Sequence, residues 1–211
     1  GDFDSNSPVL TSSNRIHSTA SVHMLGLAIL FDLYGIESRA YYNLDPYRYV
    51  RTNLAVSRLL GIHKFYTTWA LYAFTCEPLG QKMMYPDRFP PGADPDAFLI
   101  NAKNWRDLKT PDFHQGIPQA IDGILEVAQE LTGAPPLLQI SAPYSLAADI
   151  YGQEPLLADV VNNPSQVNAL LDHLGDVVLG PWMDHFFQKF SDGWVELSDA
   201  SGSPFFIGPE N

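Results

Sequence analysis

The chain has 211 residues, a formal net charge of −12 and only 17% charged side chains, so it carries enough apolar residue for a packed core and is not disordered by composition. From Thr110 onward fourteen Asp and Glu meet a single basic residue, Lys189, which argues against nucleic acid or an anionic membrane surface as a partner. The longest apolar run, Met24 to Phe31, is far short of the ~20 residues that cross a bilayer. Gly1-Asp2-Phe3-Asp4 is acidic where a signal peptide would be basic, and one cysteine, Cys76, rules out an internal disulfide; a reducing, cytoplasmic location is expected.

Residues 1–20, rich in Ser, Asn and Thr, read as an irregular arm, and residues 21–211 as one domain. A helix is expected from Val22 to Tyr34, stopped by Gly35. A second begins with Asp45 as N-cap and Pro46 at the first helical position, carries Val50, Leu54, Leu59 and Leu60, and ends at Gly61. His63 to Leu71 is β-branched and aromatic and reads as a strand, with Tyr66, Thr67 and Trp69 as core or lining side chains. Met83 to Tyr85 reads as another short strand. Pro86 to Asp112 holds five prolines and is expected to be a surface excursion or a lid.

Ile117 to Leu131 forms an amphipathic pattern, with Ile117, Ile121, Ile124, Leu125, Ala128 and Leu131 on one face and Gly133 as the stop. Pro136 to Ser141 follows as a buried strand, then a helix from Tyr144 to Tyr151. Asn163-Pro164-Ser165-Gln166 is a start signal for a helix bearing Val167, Leu170, Leu171, Leu174, Val177 and Val178. Gly180-Pro181 is expected to kink or break it before Trp182 to Phe190 resume. Trp194 to Leu197 reads as a strand running into the turn-rich residues 198–204. Strands separated by helices predict parallel β/α units, an α/β fold, without choosing between an open sheet and a barrel.

Several segments carry a family resemblance. Gly133 to Gly152 (GAPPLLQISAPYSLAADIYG), Glu154 to Leu171 (EPLLADVVNNPSQVNALL), Trp194 to Glu210 (WVELSDASGSPFFIGPE) and the small Glu77-Pro78-Leu79-Gly80 element resemble, in order and separation, the uroporphyrinogen decarboxylase superfamily. The resemblance implies a (β/α)8 TIM-type barrel with its site at the C-terminal ends of the strands. It also implies that these residues form only the N-terminal portion of that barrel, so that further polypeptide, a second chain or a retained fragment, is expected to complete it.

Within the superfamily, decarboxylases use an Arg-Gln-Ala-Gly-Arg element, an Asp and a Tyr that bind the porphyrinogen. Here no such element precedes Tyr34, Leu71 falls where the Asp would be, and Asp149 falls where the Tyr would be. The methyltransferase branch, which moves a methyl group between a corrinoid and a thiol, is the nearer resemblance. Its zinc is held by a His-x-Cys and a later Cys, and neither occurs in this chain; no metal ligand is assigned here, and zinc and a corrinoid are implied only for a complete enzyme. The alternatives are porphyrinogen decarboxylation and a non-catalytic scaffold.

The residues singled out are Asp199 as a catalytic group, with Tyr144, Ser145, Ser198 and Trp69 as substrate-binding side chains. Each has a bland alternative. Asp199, Ser198 and Ser201 suit a turn before Gly202, and Ser145 suits a helix N-cap. Asp149 is expected to be a solvated or paired carboxylate in an otherwise apolar helix, and Cys76 a buried small residue. His173 and His185, twelve residues apart on helix, point ~120° apart and are not expected to share a site.

Overall fold

The computed structural model describes residues 45–60, 71–87 and 90–202, with residues 32, 35, 37 and 40 as isolated positions. The N-terminal arm, nearly all of the Val22 to Tyr34 helix and most of the His63 to Leu71 strand, Trp69 included, lie outside these residues.

Helix α1 (Pro46–Leu60) starts where the cap signal placed it: the Arg48 amide donates to Asp45 Oδ1 at 2.7 Å. Replacing Asp45 with Ala is expected to cost about 1 kcal/mol of stability, read as a lower denaturant midpoint with unchanged slope. Val50 and Leu54 are buried, but Leu59 is 58% exposed. Nine residues separate it from Val50, and nine steps of ~100° carry it to the opposite face. Helix α2 (Leu71–Cys76) begins at the residue where the expected strand was to end.

A 3₁₀ turn (Glu77–Leu79) leads to strand β1 (Met83–Met84), whose antiparallel partner β2 (Gly92–Ala93) comes from the proline-rich segment. That segment is not a free surface excursion. Gln81 Nε2 donates to the Ala97 carbonyl at 3.0 Å, the Leu99 amide donates to Gln81 Oε1 at 2.9 Å, and the Ile100 amide donates to the Ile150 carbonyl at 3.0 Å. A second 3₁₀ turn (Trp105–Asp107) buries Trp105.

Helix α3 (Gly116–Thr132) carries the expected stripe and ends in a left-handed Gly133, whose amide bonds the Gln129 carbonyl. Ile121, Ile124, Leu125 and Ala128 are buried, while Leu131, in the last turn, is 38% exposed. Gly123 lets α1 approach, since a Cβ there would lie 3.1 Å from the Pro46 ring. Strand β3 (Leu137–Ser141) is buried from Leu138 onward, as a parallel strand covered on both faces must be.

Helix α4 (Pro143–Tyr151) follows, then α5 (Gln153–Asn162), which periodicity did not reveal because Leu156 is its one buried residue. The turn between them requires glycine: Gly152 has φ +97°, and a Cβ there would meet the Phe98 ring at 2.8 Å. Helix α6 (Pro164–Leu174) begins after Asn163, yet the Asn163 side chain donates to Asp159 Oδ1 at 2.8 Å instead of capping.

The helix does not break at Gly180-Pro181, the second of the two outcomes expected there, but shifts its phase. A π turn (Gly175–Leu179) runs directly into helix α7 (Gly180–Lys189), and the Gly180 amide bonds the Gly175 carbonyl. Buried Val167, Leu170, Leu174, Val178, Trp182 and Phe186 fall mostly four apart, a spacing that drifts round an ideal α-helix; the wider turn absorbs the drift and keeps the stripe facing inward. Strand β4 (Trp194–Ser198) pairs parallel with β3, Leu137 opposite Trp194 through Ser141 opposite Ser198. The β/α units are therefore parallel as expected, but no closed barrel forms among the described residues. Trp194 is 61% and Leu197 48% exposed, so β4 is the open side of this pair.

Candidate functional site

Because β3 and β4 run parallel, the loops that leave them emerge at one end of the sheet. After β3 come Ala142 and Pro143, and Pro143 starts α4 at a position where its missing N–H costs nothing. Ala142 occupies the N-cap position and offers no side-chain acceptor. Ser145 is thus not the N-cap; it lies inside the first turn. Its amide donates to Asp199 Oδ1 at 3.1 Å and its hydroxyl donates to the same oxygen at 2.8 Å. The acid after β4 caps the helix after β3, and its charge sits at the positive end of the α4 dipole.

The turn closes on itself around the same atoms. Gly202 donates its amide to Asp199 Oδ1 at 3.1 Å, and Ser201 donates its amide to Ser145 Oγ at 3.1 Å. Asp199 is therefore both the turn residue of the bland reading and a bridge across 54 residues of sequence. Its Oδ1 accepts three hydrogen bonds, and among the described residues no Lys, Arg or His pairs with it. Tyr144, next to Ser145, is 7% exposed, and its hydroxyl is buried without a hydrogen-bond partner among the described residues. Burial, and secondarily the Asp199 charge, push its pKa above the ordinary tyrosine value. Ser198 is exposed, and its backbone carbonyl accepts from the Ala142 amide at 2.8 Å.

The structure thus brings Tyr144, Ser145, Ser198 and Asp199 to one end of the β3–β4 pair. The amides of Ser201 and Gly202 belong to the same cluster; the Asp-x-x-Gly spacing after a strand was their signal. The anchored part of the proline-rich segment meets α4 at its other end, about 13 Å away along a nine-residue helix. Residues 97–100 therefore do not cover this mouth, and the lid expectation fails for them.

Asp149 and Cys76 form a second, buried pair. The Cys76 thiol donates to Asp149 Oδ2 at 3.9 Å, and Cys76 is fully buried. Burial first, then the Asp149 charge, raise the thiol's pKa well above its usual value, so it stays protonated. Burial raises the Asp149 carboxyl to about 6, opposed by the thiol hydrogen bond.

These facts bear on zinc. Among the described residues no group of three or more His, Cys, Asp or Glu is placed to hold a metal ion. Cys76 is a thiol tied to a carboxylate, His173 packs edge-on against Trp105 at 5.4 Å, and His185 Nε2 lies 2.9 Å from buried Asp122. Lys189 joins that last cluster, 3.2 Å from Asp122 and 2.8 Å from Glu126, and so links α7 to α3. Among the described residues, none of these groups fits a zinc site. Elemental analysis of the dialysed chain is expected to find no stoichiometric zinc; one tightly held ion per chain would contradict this.

Comparison with known proteins adds two findings. The family model for uroporphyrinogen decarboxylase matches residues 39–180, well over half of the chain. A solved structure, a methyltransferase from Methanosarcina mazei, superposes with a TM-score of 0.69 at 15% identity, over 86% of this chain and 53% of that one. This chain therefore spans about half the length of that structure, and the likeness extends a TIM-barrel-like fold to it. No curated protein matches the sequence.

Proposed function

The chain belongs to the uroporphyrinogen decarboxylase family, and from that premise we propose that it serves a methyltransferase-type reaction, moving a methyl group between a corrinoid or other methylated donor and a thiol. The observation that supports this over decarboxylation is the charge of the mouth. Asp199 occupies the helix N-terminus where a substrate carboxylate would bind, and no cationic side chain among the described residues pairs with it. A porphyrinogen carries many carboxylates and would meet a like charge there. The likeness to a methyltransferase structure points the same way.

On this reading Asp199 is the group nearest the reacting substrate, Ser145 holds it, and Tyr144 and Ser198 line the wall. Zinc and a corrinoid would be held by further polypeptide that completes the barrel, in the same chain or another.

The full protein, with whatever chain accompanies it, tests the reading when incubated with methylcobalamin and a simple thiol, and separately with uroporphyrinogen. Thioether formation without decarboxylation is the expected result. Release of CO2 from the porphyrinogen without methyl transfer would sink it.

A further inference from the structure

The helix that runs from α6 through the π turn into α7 has an outer stripe as regular as its inner one. Leu170, Leu174, Val178, Trp182 and Phe186 stay buried at a spacing of four, so positions two further on stay outside at the same spacing. Those positions hold Asp172, Asp176, Gly180, Asp184 and Gln188. The three carboxylates are exposed, and no ion pair or hydrogen bond engages them among the described residues. The wider π turn thus lines them up as an acidic ridge.

A cationic turn stands beside the start of this ridge. The buried Trp105 ring meets His173, the neighbour of Asp172, edge-on at 5.4 Å. Lys103, Arg106 and Lys109 are exposed around it, with Asp107 as the one acid among them. The turn is held firmly: Asn101 donates its amide to Asn104 Oδ1 at 2.7 Å, and Lys103 donates its amide to Asn101 Oδ1 at 2.9 Å. Arg106 lies over the Trp105 ring at 3.9 Å. None of these three cations has an ion-pair partner among the described residues, whereas Lys82 and Lys189 both do.

We propose that the cationic turn of one copy docks on the acidic ridge of a second copy, and the reverse, so that the chain forms a two-fold homodimer. Charge complementarity selects this occupant. Patches of opposite sign lie side by side on one surface, and a two-fold axis uses each of them twice. A foreign acidic protein would engage the turn and leave the ridge unmatched. A nucleic acid would meet the ridge as a like charge. This surface is independent of the chemistry at the mouth, and the dimer stands or falls apart from the methyltransferase reading.

Charge reversal of the full protein tests it. A turn variant carries Lys103→Glu, Arg106→Glu and Lys109→Glu, and a ridge variant carries Asp172→Lys, Asp176→Lys and Asp184→Lys. All six positions are exposed, so folding survives the changes. Association is read by analytical ultracentrifugation over a dilution series in about 0.1 M and about 1 M salt. A Debye length of roughly 10 Å at the lower salt screens the repulsion between two net-negative copies and leaves contacting pairs intact; roughly 3 Å at the higher salt weakens those pairs too. The wild type is expected to dimerise at the lower salt and to lose about tenfold in affinity at the higher. Each variant alone is expected to lose about tenfold or more, and an equal mixture of the two to associate again. Net charge alone predicts otherwise, because the ridge variant is less negative than the wild type and would associate more readily. A monomeric wild type, a ridge variant that associates more tightly than wild type, or a mixture that stays monomeric would overturn the proposal. So would a monomeric wild type that binds oligoglutamate, which would give the turn to a foreign acidic partner.

Discussion

Replacing Asp149 with Asn is expected to stabilise the protein by about 2 kcal/mol near pH 8. Asp149 lies on α4, one turn beyond Ser145, partly buried, and accepts from the Cys76 thiol at 3.9 Å. Burial raises its pKa from 3.8 to about 6. A shift of that size corresponds to roughly 3 kcal/mol, and the side chain's residual exposure reduces it to about 2. Asn keeps an oxygen for the thiol and removes the charge.

The direction with pH follows from where the proton is held. The folded state binds the Asp149 proton more tightly than the unfolded chain, so its contribution is fully present below about pH 3.8 and is lost as pH rises through about 6. The wild-type protein should therefore fall behind Asp149→Asn between those values, and the two should converge in more acidic buffer. Urea unfolding at several pH values reads this directly. Equal or lower stability of Asp149→Asn near pH 8 would show that the ionised carboxylate supports the fold.

Asp199→Ala is expected to cost about 2–3 kcal/mol. It removes the acceptor for the Ser145 amide, the Ser145 hydroxyl and the Gly202 amide, and Ser145 is only 7% exposed, so water does not fully replace the lost partner. Asp199→Asn retains a carbonyl oxygen and loses only the charge at the helix dipole, so about 1 kcal/mol is expected. The same change should free residues 199–202, seen as faster proteolytic nicking of that turn. An Asp199→Ala protein within about 0.5 kcal/mol of wild type would mean that the turn is held by other contacts.

Much of the local architecture was legible because its causes are local. Asp45-Pro46 and Gly133 bound their helices through caps that involve neighbours in sequence. The stripe of Ile121, Ile124, Leu125 and Ala128 is buried as its spacing requires. Errors arose where a local signal competed with something distant. Leu59 is apolar yet faces away from the core. Strand β2 is two residues of Gly and Ala, too small for a strand signal, and exists because Met83 and Met84 pair with it. The proline-rich segment read as free because prolines punctuate it, but Gln81 and Ile150 bind its backbone.

The candidate site divides in the same way. The sequence by itself placed Tyr144 and Ser145 just after one strand and Asp199 just after another, and it showed the acidic imbalance that leaves Lys189 as the sole basic residue beyond Thr110. Only the tertiary structure decided what those residues do to one another. The parallel register that sets Ser141 opposite Ser198 brings Asp199 onto the first turn of α4, where it caps the helix in place of Ala142. It likewise spent Lys189 on Asp122 and Glu126 between α7 and α3, instead of on Asp199. Pairing of this kind depends on strand register and on distances between segments far apart in the chain, and no spacing within a single segment encodes it.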